Sequence, residues 1–242
     1  MQHNDLEDWI RKKAANYGCK LVGFAEINDI VQKEFLKGIE IDGSPAKTAI
    51  ILGMVLEDPI QDAWTQSPLW SRGKNYIDEA LAHVATVLAL ELAKQGFPSR
   101  PLSYGGAYLK HLAVYAGLGI IGRNNLLITP KYGPHIRLRG LLTYASLTPS
   151  KLLIGKFAPC AKCPPIPPCI QACPAGALTA TSQPKENHSN SKEPHSPRSN
   201  YKKETCHNYS LAHLKEIGPF TYLWCRACEE ACPIGKENLI KG

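Results

Sequence analysis

Eight of the nine cysteines fall into two groups whose spacings nearly repeat one another. The first group is Cys160-x2-Cys163-x5-Cys169-x3-Cys173-Pro174, and the second is Cys206-x18-Cys225-x2-Cys228-x3-Cys232-Pro233. A [4Fe-4S] cluster needs four thiolates that converge from several directions, and a Cys-x2-Cys step joined to a Cys-x3-Cys-Pro step supplies several of them from one tight loop. The two groups therefore predict two [4Fe-4S] clusters in a protein that handles electrons.

The cysteine before each proline is expected to serve the cluster of the other group, as it does in two-cluster ferredoxins. The first cluster is then predicted to be held by Cys160, Cys163, Cys169 and Cys232. The second is predicted to be held by Cys173, Cys206, Cys225 and Cys228. This exchange of ligands predicts that the two groups are tied together in space.

Two other uses of the cysteines are less consistent with the pattern. Zinc sites also use Cys-x2-Cys steps, but zinc ribbons do not call for Cys-x3-Cys-Pro at the end of both groups. The sequence starts Met1-Gln2-His3-Asn4-Asp5 without a signal peptide, so we expect a cytoplasmic, reducing location that disfavours disulfides. The ninth cysteine, Cys19, stands alone and is interpreted as a small buried hydrophobic residue.

Length and composition predict a soluble chain of two domains. With 242 residues and 44% hydrophobic content, the chain can bury a core, and its longest apolar stretches are too short to span a membrane. Apolar periodicity predicts helices over 6–17, 76–95 and 107–116, and strands over 20–25, 48–56, 125–129 and 137–147. We therefore expect an α/β domain over 1–156 and a double-cluster domain over 157–242, with a polar, mobile insert at about 180–204.

The charge distribution predicts an anionic partner. The formal net charge is +7, and no Asp or Glu lies between Glu91 and Glu186, whereas basic residues are frequent there. Cluster thiolates would offset the last part of this stretch, and the part between Arg100 and Arg139 indicates a phosphate or similar group. The alternative interpretation is a solvated basic face without a function.

A glycine-rich segment, Gly117-Leu118-Gly119-Ile120-Ile121-Gly122, matches the G-x-G-x-x-G pattern of dinucleotide sites. Its context is wrong for that function, because it follows a helix, leads toward a strand and has no acidic residue after it for a ribose. The glycines do permit close backbone approach to a flat or bulky ligand, with Arg123 and Asn125 beside it. A helix C-cap at Gly117 followed by a tight turn explains the glycines equally well.

The segment from Ala116-Gly117-Leu118-Gly119 through Arg123-Asn124-Asn125 to Tyr132-Gly133-Pro134 resembles the signature shared by epoxyqueuosine reductases and corrinoid-dependent reductive dehalogenases. The doubled cysteine pattern follows at the expected place. The resemblance implies an α+β fold, in which a nitroreductase-like α/β N-terminal domain precedes a ferredoxin-like double-cluster domain. It also implies a base-off cobalamin reduced by two [4Fe-4S] clusters. The residues implied to bind cobalamin are Gly117, Leu118, Gly119, Gly122, Arg123 and Asn125.

This sequence departs from the pattern of both groups. Where epoxyqueuosine reductases have a proton-donating aspartate, the chain has Ser103, a poor general acid. The adjacent Tyr104 favours the dehalogenases, which use a tyrosine as proton donor, although the chain lacks their export signal and longer N-terminal domain. The spacing before Cys169 is x5 where x2 is usual, and no cobalt-ligating histidine motif is present, so His111 and His135 are interpreted as packed or surface residues.

The resulting functional prediction is an iron–sulfur, cobalamin-dependent oxidoreductase that reduces an electrophilic small molecule, with Tyr104 and Ser103 as catalytic candidates. Its expected partner is a low-potential electron donor of the ferredoxin or flavodoxin type, and no membrane is expected. One alternative is an epoxyqueuosine reductase-type enzyme acting on tRNA. The other is a non-catalytic [4Fe-4S] electron carrier or corrinoid delivery protein.

Overall fold

The computed structural model describes residues 3–36, 38–65, 74–103, 107–179 and 200–239. Within these ranges the α-helices are α1 (His3–Asn16), α2 (Tyr76–Lys94), α3 (Leu109–Tyr115), α4 (Pro168–Gln171), α5 (Lys203–Ala212) and α6 (Ala227–Glu230). The strands are β1 (Leu21–Glu26), β2 (Thr48–Val55), β3 (Trp64–Thr65), β4 (Lys74–Asn75), β5 (Ser99–Pro101), β6 (Ile120–Ile121), β7 (Leu127–Ile128), β8 (Ile136–Thr143), β9 (Leu178–Thr179), β10 (Asn200–Tyr201), β11 (Lys215–Gly218) and β12 (Thr221–Leu223). A π-helical turn spans Val31–Phe35, and short 3-10 helices span Pro59–Asp62 and Lys236–Asn238.

The chain divides into two compact units that are interleaved in sequence. The first unit comprises residues 1–56, 76–118 and 136–152, and the second comprises 57–75, 119–135 and 153–242. The sequence predicted one domain over 1–156 and another over 157–242. The observed second unit also contains residues 57–75 and 119–135 from the earlier part of the chain. Both units mix helices with antiparallel sheets, which agrees with the mixed α and β composition expected from the sequence.

The first unit is built on an antiparallel sheet in the order β1-β2-β8-β5. Phe24 of β1 packs into a core that includes Leu6 of α1 and Leu88 of α2. Gly23, which precedes Phe24 in β1, packs against Ala116 at the end of α3. Successive residues of a strand point to opposite faces, so α1 and α2 cover one face of the sheet and the end of α3 covers the other.

The long helix α2 confirms the prediction from apolar periodicity. Its buried residues recur every three or four positions and lie on one face toward the sheet, and they include Ile77, Leu81, Val84, Leu88 and Leu92. The helix is followed by Gly96 at φ +88°, a left-handed conformation that glycine adopts at little cost and that ends helices. The central strand β2 is buried almost throughout, which accounts for its apolar sequence.

Cys19 is buried in the core of the first unit, as the sequence predicted. Its side chain is packed among apolar residues, and burial raises the pKa of the thiol to about 12. A neutral thiol of this kind behaves as a small hydrophobic group.

The second unit contains a four-stranded antiparallel sheet in the order β11-β12-β3-β4. The sequence did not predict these short strands. Strands β3 and β4 are two residues long and pair with each other, and β3 also pairs with β12 from the distant C-terminal part. A second hairpin joins β6 to β7, pairing Ile120 with Ile128 and Ile121 with Leu127. The strand predicted over 125–129 is therefore observed only as the two residues of β7.

The last residues of the predicted insert at about 180–204 belong to regular secondary structure. Asn200 pairs with Thr179 and Tyr201 pairs with Leu178, and helix α5 begins at Lys203. The rest of the insert stays a prediction. Residues 180–199 lie outside the described part of the chain.

None of the helices in the described ranges combines the length and apolar character that a bilayer-spanning helix requires.

The two-residue ladder between β9 and β10 should isolate the insert from the rest of the second unit. We expect deletion of residues 183–199 to leave the thermal unfolding temperature nearly unchanged, because loop length alters closure entropy only slowly. Extending the deletion to residues 183–201 removes β10 and should lower the unfolding temperature. Calorimetry of the two deletions checks this prediction, and equal destabilisation by both would contradict it.

Candidate iron–sulfur site

Four cysteines line one cavity in the second unit. They are Cys160, Cys163, Cys169 and Cys232. The rest of the wall includes Arg123, Asn124, Ile128 and prolines next to the cysteines. The first three cysteines come from one sequence group and the fourth from the other, so this cavity brings together the set that was predicted for the first cluster.

Local backbone structure explains how the first group reaches this cavity. A tight turn joins Cys160 to Cys163, with the Cys163 amide donating to the Cys160 carbonyl at 3.3 Å. The proline-rich x5 segment then bends at Pro165 and Ile166 and reaches extended backbone at Pro167, with φ −64° and ψ 149°. Pro168 occupies the first turn of α4, where proline needs no hydrogen-bond donor, and Cys169 follows on that helix. The longer spacing thus still returns Cys169 to the cavity.

The position of Cys232 depends on a close crossing of two backbone segments. A side chain on Gly133 would place its first carbon 1.8 Å from the carbonyl oxygen of Ile234. A side chain on Gly235 would lie 2.2 Å from the carbonyl carbon of Tyr132. Both glycines have positive φ, so no other residue fits here without strain. The crossing holds Ile234, and with it the cysteine two residues earlier, against the cavity.

The turn between β6 and β7 contacts both cysteine sets. The backbone N–H of Arg123 donates to Sγ of Cys160 at 3.4 Å. The side-chain amide of Asn124 donates to the carbonyl oxygen of Cys228 at 3.5 Å. Backbone N–H groups that point at cysteine sulfur stabilise negative charge on it, which is one of the ways in which proteins tune iron–sulfur clusters. Arg123, which the resemblance assigned to a corrinoid, therefore contacts the first cysteine set.

The thiols of the first set act on one another electrostatically. The pKa of Cys169 is raised to about 11, chiefly by burial and secondarily by negative charge on Cys160, Cys232 and Cys163. Burial is also the largest cause that raises the pKa of Cys160, which the Arg123 N–H partly opposes. Buried thiols of this kind become thiolates only when a cationic group compensates them. The set therefore suits a metal core rather than free thiolate chemistry.

The remaining four cysteines form a second set. The pKa of Cys228 is raised to about 12, chiefly by burial. The negative charges of Glu229, Cys206, Cys225 and Cys173 contribute to the same rise. Cysteines of the first set are absent from these causes. The phenol of Tyr201, on β10, shares a hydrogen bond with Cys206, and burial and this bond both raise the pKa of Tyr201. The structure thus brings together the second predicted set as well, and the role of both sets as ligands stays a prediction.

Within the described residues, no three His, Cys, Asp or Glu side chains converge on one point as ligands of a single metal ion do. Zinc requires its sulfur ligands at about 2.3 Å from one centre. A cubane instead separates its four ligands by the width of an eight-atom core. A wall of four cysteines around a cavity is compatible with that larger group, and the backbone donor to Cys160 fits its charge.

A buried group of charges next to the second set was not predicted from the sequence. The Glu229 side chain on α6 accepts from Nη2 of Arg226 at 3.0 Å and lies 3.6 Å from Nδ1 of His135. Nε of Arg226 also lies 4.0 Å from a carboxylate oxygen of Asp62. The i, i+3 spacing of Arg226 and Glu229 was a local sequence signal for their ion pair. The contacts with Asp62 and His135 join distant parts of the chain, so no local pattern indicated them.

The glycine-rich segment is explained by contacts within the protein. A first side-chain carbon on Gly117 would lie 2.4 Å from the carbonyl oxygen of Lys151, and one on Gly119 would lie 2.4 Å from that of Ile128. On Gly122 it would lie 2.6 Å from the Ile128 side chain. These spaces are filled by protein atoms, so the glycines show no cradle for a corrinoid. Corrinoid contact by this segment stays a prediction, and substitutions here would not test it cleanly.

The structure describes the other predicted site residues except Tyr104. Leu118 is buried and Asn125 adopts φ +60° in the turn between β6 and β7. Ser103 is exposed just beyond β5, and Tyr104 lies outside the described residues. His111 stacks on Phe35 with ring centroids 5.3 Å apart, and, like the buried His135, it is a packed residue as expected.

The basic stretch is partly satisfied by the chain itself. Arg139 forms an ion pair with Asp78 of α2, and Arg100 donates to the carbonyl oxygen of Glu40 at 2.7 Å. Burial lowers the pKa of Lys110 to about 8, so this side chain still carries most of its charge at neutral pH. Internal contacts therefore account for part of the charge that the sequence assigned to an anionic partner, and the partner itself stays a prediction.

The fold is that of the epoxyqueuosine reductases and the reductive dehalogenases. Among solved structures, an epoxyqueuosine reductase from Bacillus subtilis matches 99% of this chain and 68% of its own, with a TM-score of 0.62 and 17% identity. A catabolic reductive dehalogenase matches 96% of this chain and 32% of its own, with a TM-score of 0.67 and 19% identity. These similarities confirm the resemblance that was predicted from the sequence.

Sequence relatives point to the second group. The chain is 34% identical over 142 residues to tetrachloroethene reductive dehalogenases of Desulfitobacterium hafniense and Dehalobacter restrictus, covering 57% of this chain and 25% of theirs. It is 28% identical over 144 residues to that of Sulfurospirillum multivorans, covering 60% and 27%. The chain thus spans about a quarter of the length of these relatives. No protein-family model matches the chain.

The packing of Gly119 gives a test of this part of the site. We expect Gly119→Ala to destabilise the protein by about 1–3 kcal/mol, because the added carbon would collide with the Ile128 carbonyl in the β6–β7 hairpin. Gly218→Ala is the matched control, since its nearest neighbouring atom would lie 4.0 Å away. Denaturant unfolding of both variants measures the difference, and equal stability would argue against the observed hairpin packing.

Proposed function

We propose that this chain is an iron–sulfur reductase with two [4Fe-4S] clusters. The first cluster is held by Cys160, Cys163, Cys169 and Cys232. The second is held by Cys173, Cys206, Cys225 and Cys228. A low-potential ferredoxin or flavodoxin supplies single electrons, and the final acceptor is an electrophilic small molecule.

The observation that carries this proposal is the cavity walled by four cysteines from both sequence groups. Three features support a cluster there. The ligand type is right, a backbone N–H points at Cys160 Sγ, and burial keeps the thiols from ionising without a compensating core. The reductases with similar folds and sequences support the redox assignment.

The finer part of the proposal is a corrinoid cofactor in a nitroreductase-like α/β domain, alongside a ferredoxin-like double-cluster domain. Its support is the sequence signature and a solved neighbour described as performing B12-dependent dehalogenation, with a TM-score of 0.68 and 18% identity. A corrinoid, when bound, supplies a strongly reducing cobalt centre. Protein atoms already fill the space beside the glycines, so this segment offers no cradle for a corrinoid.

The roles of the chain's own residues follow from their positions. The Arg123 N–H stabilises charge on Cys160, and the Asn124 amide holds the Cys228 carbonyl. Tyr104, which lies outside the described residues, is proposed as the proton donor on the basis of the sequence alone, with the exposed Ser103 as the other candidate. A tyrosine suits this role better than serine, because its pKa is closer to neutrality.

A second candidate is reduction of epoxyqueuosine in tRNA. One observation favours it: this chain matches epoxyqueuosine reductases over 68% of their length but the solved dehalogenases over only 32%. One such neighbour was solved with an epoxyqueuosine-modified tRNA stem loop. Ser103 in place of the expected aspartate argues against the usual proton transfer in that reaction.

Metal analysis tests the clusters directly. After anaerobic reconstitution we expect about eight iron and about eight acid-labile sulfide per chain, because each cubane contains four of each. Cys19→Ala should retain the full content, since Cys19 lies in the core of the first unit. A colourless protein that holds two zinc ions would overturn the proposal.

Paired substitutions test how the cysteines are divided. Cys160→Ser and Cys232→Ser should each lose about half of the iron, and the double variant should lose no more, because both residues line the same cavity. Cys160→Ser combined with Cys173→Ser should lose nearly all of it. If Cys160→Ser with Cys232→Ser lost all of the iron, the proposed exchange of ligands between the groups would be wrong.

The corrinoid and the proton donor need a separate experiment. The cluster-loaded protein should retain hydroxocobalamin on gel filtration and give a base-off cobalt(II) signal after reduction. Tyr104→Phe should keep the cofactor but lower turnover of a halogenated substrate by about 10²- to 10⁴-fold, and Ser103→Ala should lower it far less. Full clusters without retained cobalamin would favour the electron-carrier alternative.

A further inference from the structure

Glu229 is a buried carboxylate directly beside a proposed cluster ligand. It follows Cys228 on α6, and only 4% of its surface is exposed. The next residue, Glu230, carries the same charge but is exposed. A charge so close to a metal centre influences the centre strongly when it is buried and weakly when solvent screens it.

The carboxylate is held in place by partners from two parts of the second unit. Arg226 donates to both of its oxygens, from Nη2 at 3.0 Å and from Nε at 3.4 Å. Nδ1 of His135 lies 3.6 Å from the same carboxylate. This two-point contact with a guanidinium favours the ionised form of the glutamate. Glu229 is therefore a fixed negative charge and not a solvated surface group.

The charge reaches the second cysteine set. Glu229 directly follows Cys228 on α6, and its side chain is buried, so little solvent screens its charge from that cysteine. The carboxylate therefore adds negative potential at the second cysteine set, which the guanidinium of Arg226 offsets only in part. Adding an electron to a group that these four cysteines bind costs more when a negative charge lies beside it.

We propose that the buried carboxylate of Glu229 lowers the reduction potential of the second cluster. This inference rests on the proposed function, because it requires a [4Fe-4S] cluster on Cys173, Cys206, Cys225 and Cys228. The affected step is the gain of one electron by the oxidised 2+ cluster, which gives the 1+ state, with a low-potential one-electron donor oxidised in turn. Glu229 thus acts as a tuning residue that makes the reduced cluster a stronger reductant.

The competing explanation is structural. Glu229 joins α6 to the segment that carries His135, and on this explanation its removal only loosens the helix that carries Cys228. Two substitutions separate the explanations. Glu229→Gln keeps the shape and removes the charge, whereas Glu229→Asp keeps the charge and shortens the side chain. Glu230→Gln removes the same charge from the neighbouring exposed position.

The experiment is a redox titration of the reconstituted full chain, followed by electron paramagnetic resonance. Glu229→Gln should raise one of the two cluster potentials, with the equilibrium constant for reduction changing about tenfold, or about 59 mV for one electron. Glu229→Asp should restore most of the wild-type value, and Glu230→Gln should change it far less. Repeating the titration in the Cys160→Ser background assigns the shifted signal to the second cluster.

Each result has a defined meaning. An unchanged potential in Glu229→Gln, or an equal shift in Glu230→Gln, would overturn the inference while leaving the clusters intact. Loss of the second cluster in both Glu229→Gln and Glu229→Asp, with Glu230→Gln normal, would establish a structural role and overturn it too. Wild-type protein without iron and sulfide would instead refute the proposed function, which metal analysis reveals before any titration.

Discussion

The candidate site depends on the close crossing of two backbone segments at Gly133 and Gly235. A carbonyl oxygen of one segment occupies the place where a side chain of the other would begin, so the two backbone segments are in direct contact with no side chain between them. The side-chain amide of Asn238 reinforces the crossing by donating to the carbonyl oxygen of Lys131 at 2.7 Å. Through this contact the C-terminal cysteine group is fixed against the segment that also carries the β6–β7 turn.

The turn between β6 and β7 connects the two cysteine sets. Arg123 contacts the first set through its backbone, and Asn124 contacts the second through its side chain. The turn is placed by the hairpin, and the hairpin closes only because Gly119 and Gly122 leave room for Ile128. A glycine pattern that resembles a ligand-binding loop therefore serves first as packing next to the two cysteine sets. Function on a shared fold is decided by such local contacts rather than by the fold itself.

The sequence predicted those features whose information is local. Cysteine spacing indicated the two sets, and apolar periodicity indicated α2, because both signals repeat within a few turns of chain. The strands β3 and β4 were missed, since two-residue strands carry no alternation and β12, the other partner of β3, lies far along the chain. The contact of His135 with Glu229 was missed for the same reason. The role of the glycines could not be decided without knowing which carbonyl groups they face.

The position of Cys232 also bears on how the protein is made. Domains form progressively as the chain leaves the ribosome, and the N-terminal parts fold first. The cavity of the first set begins with Cys160, but its wall is incomplete until Cys232 and the crossing around Gly235 have emerged. The wall of that cavity is therefore completed only once the C-terminal segment has been made, and a chain broken off before Cys232 cannot complete it.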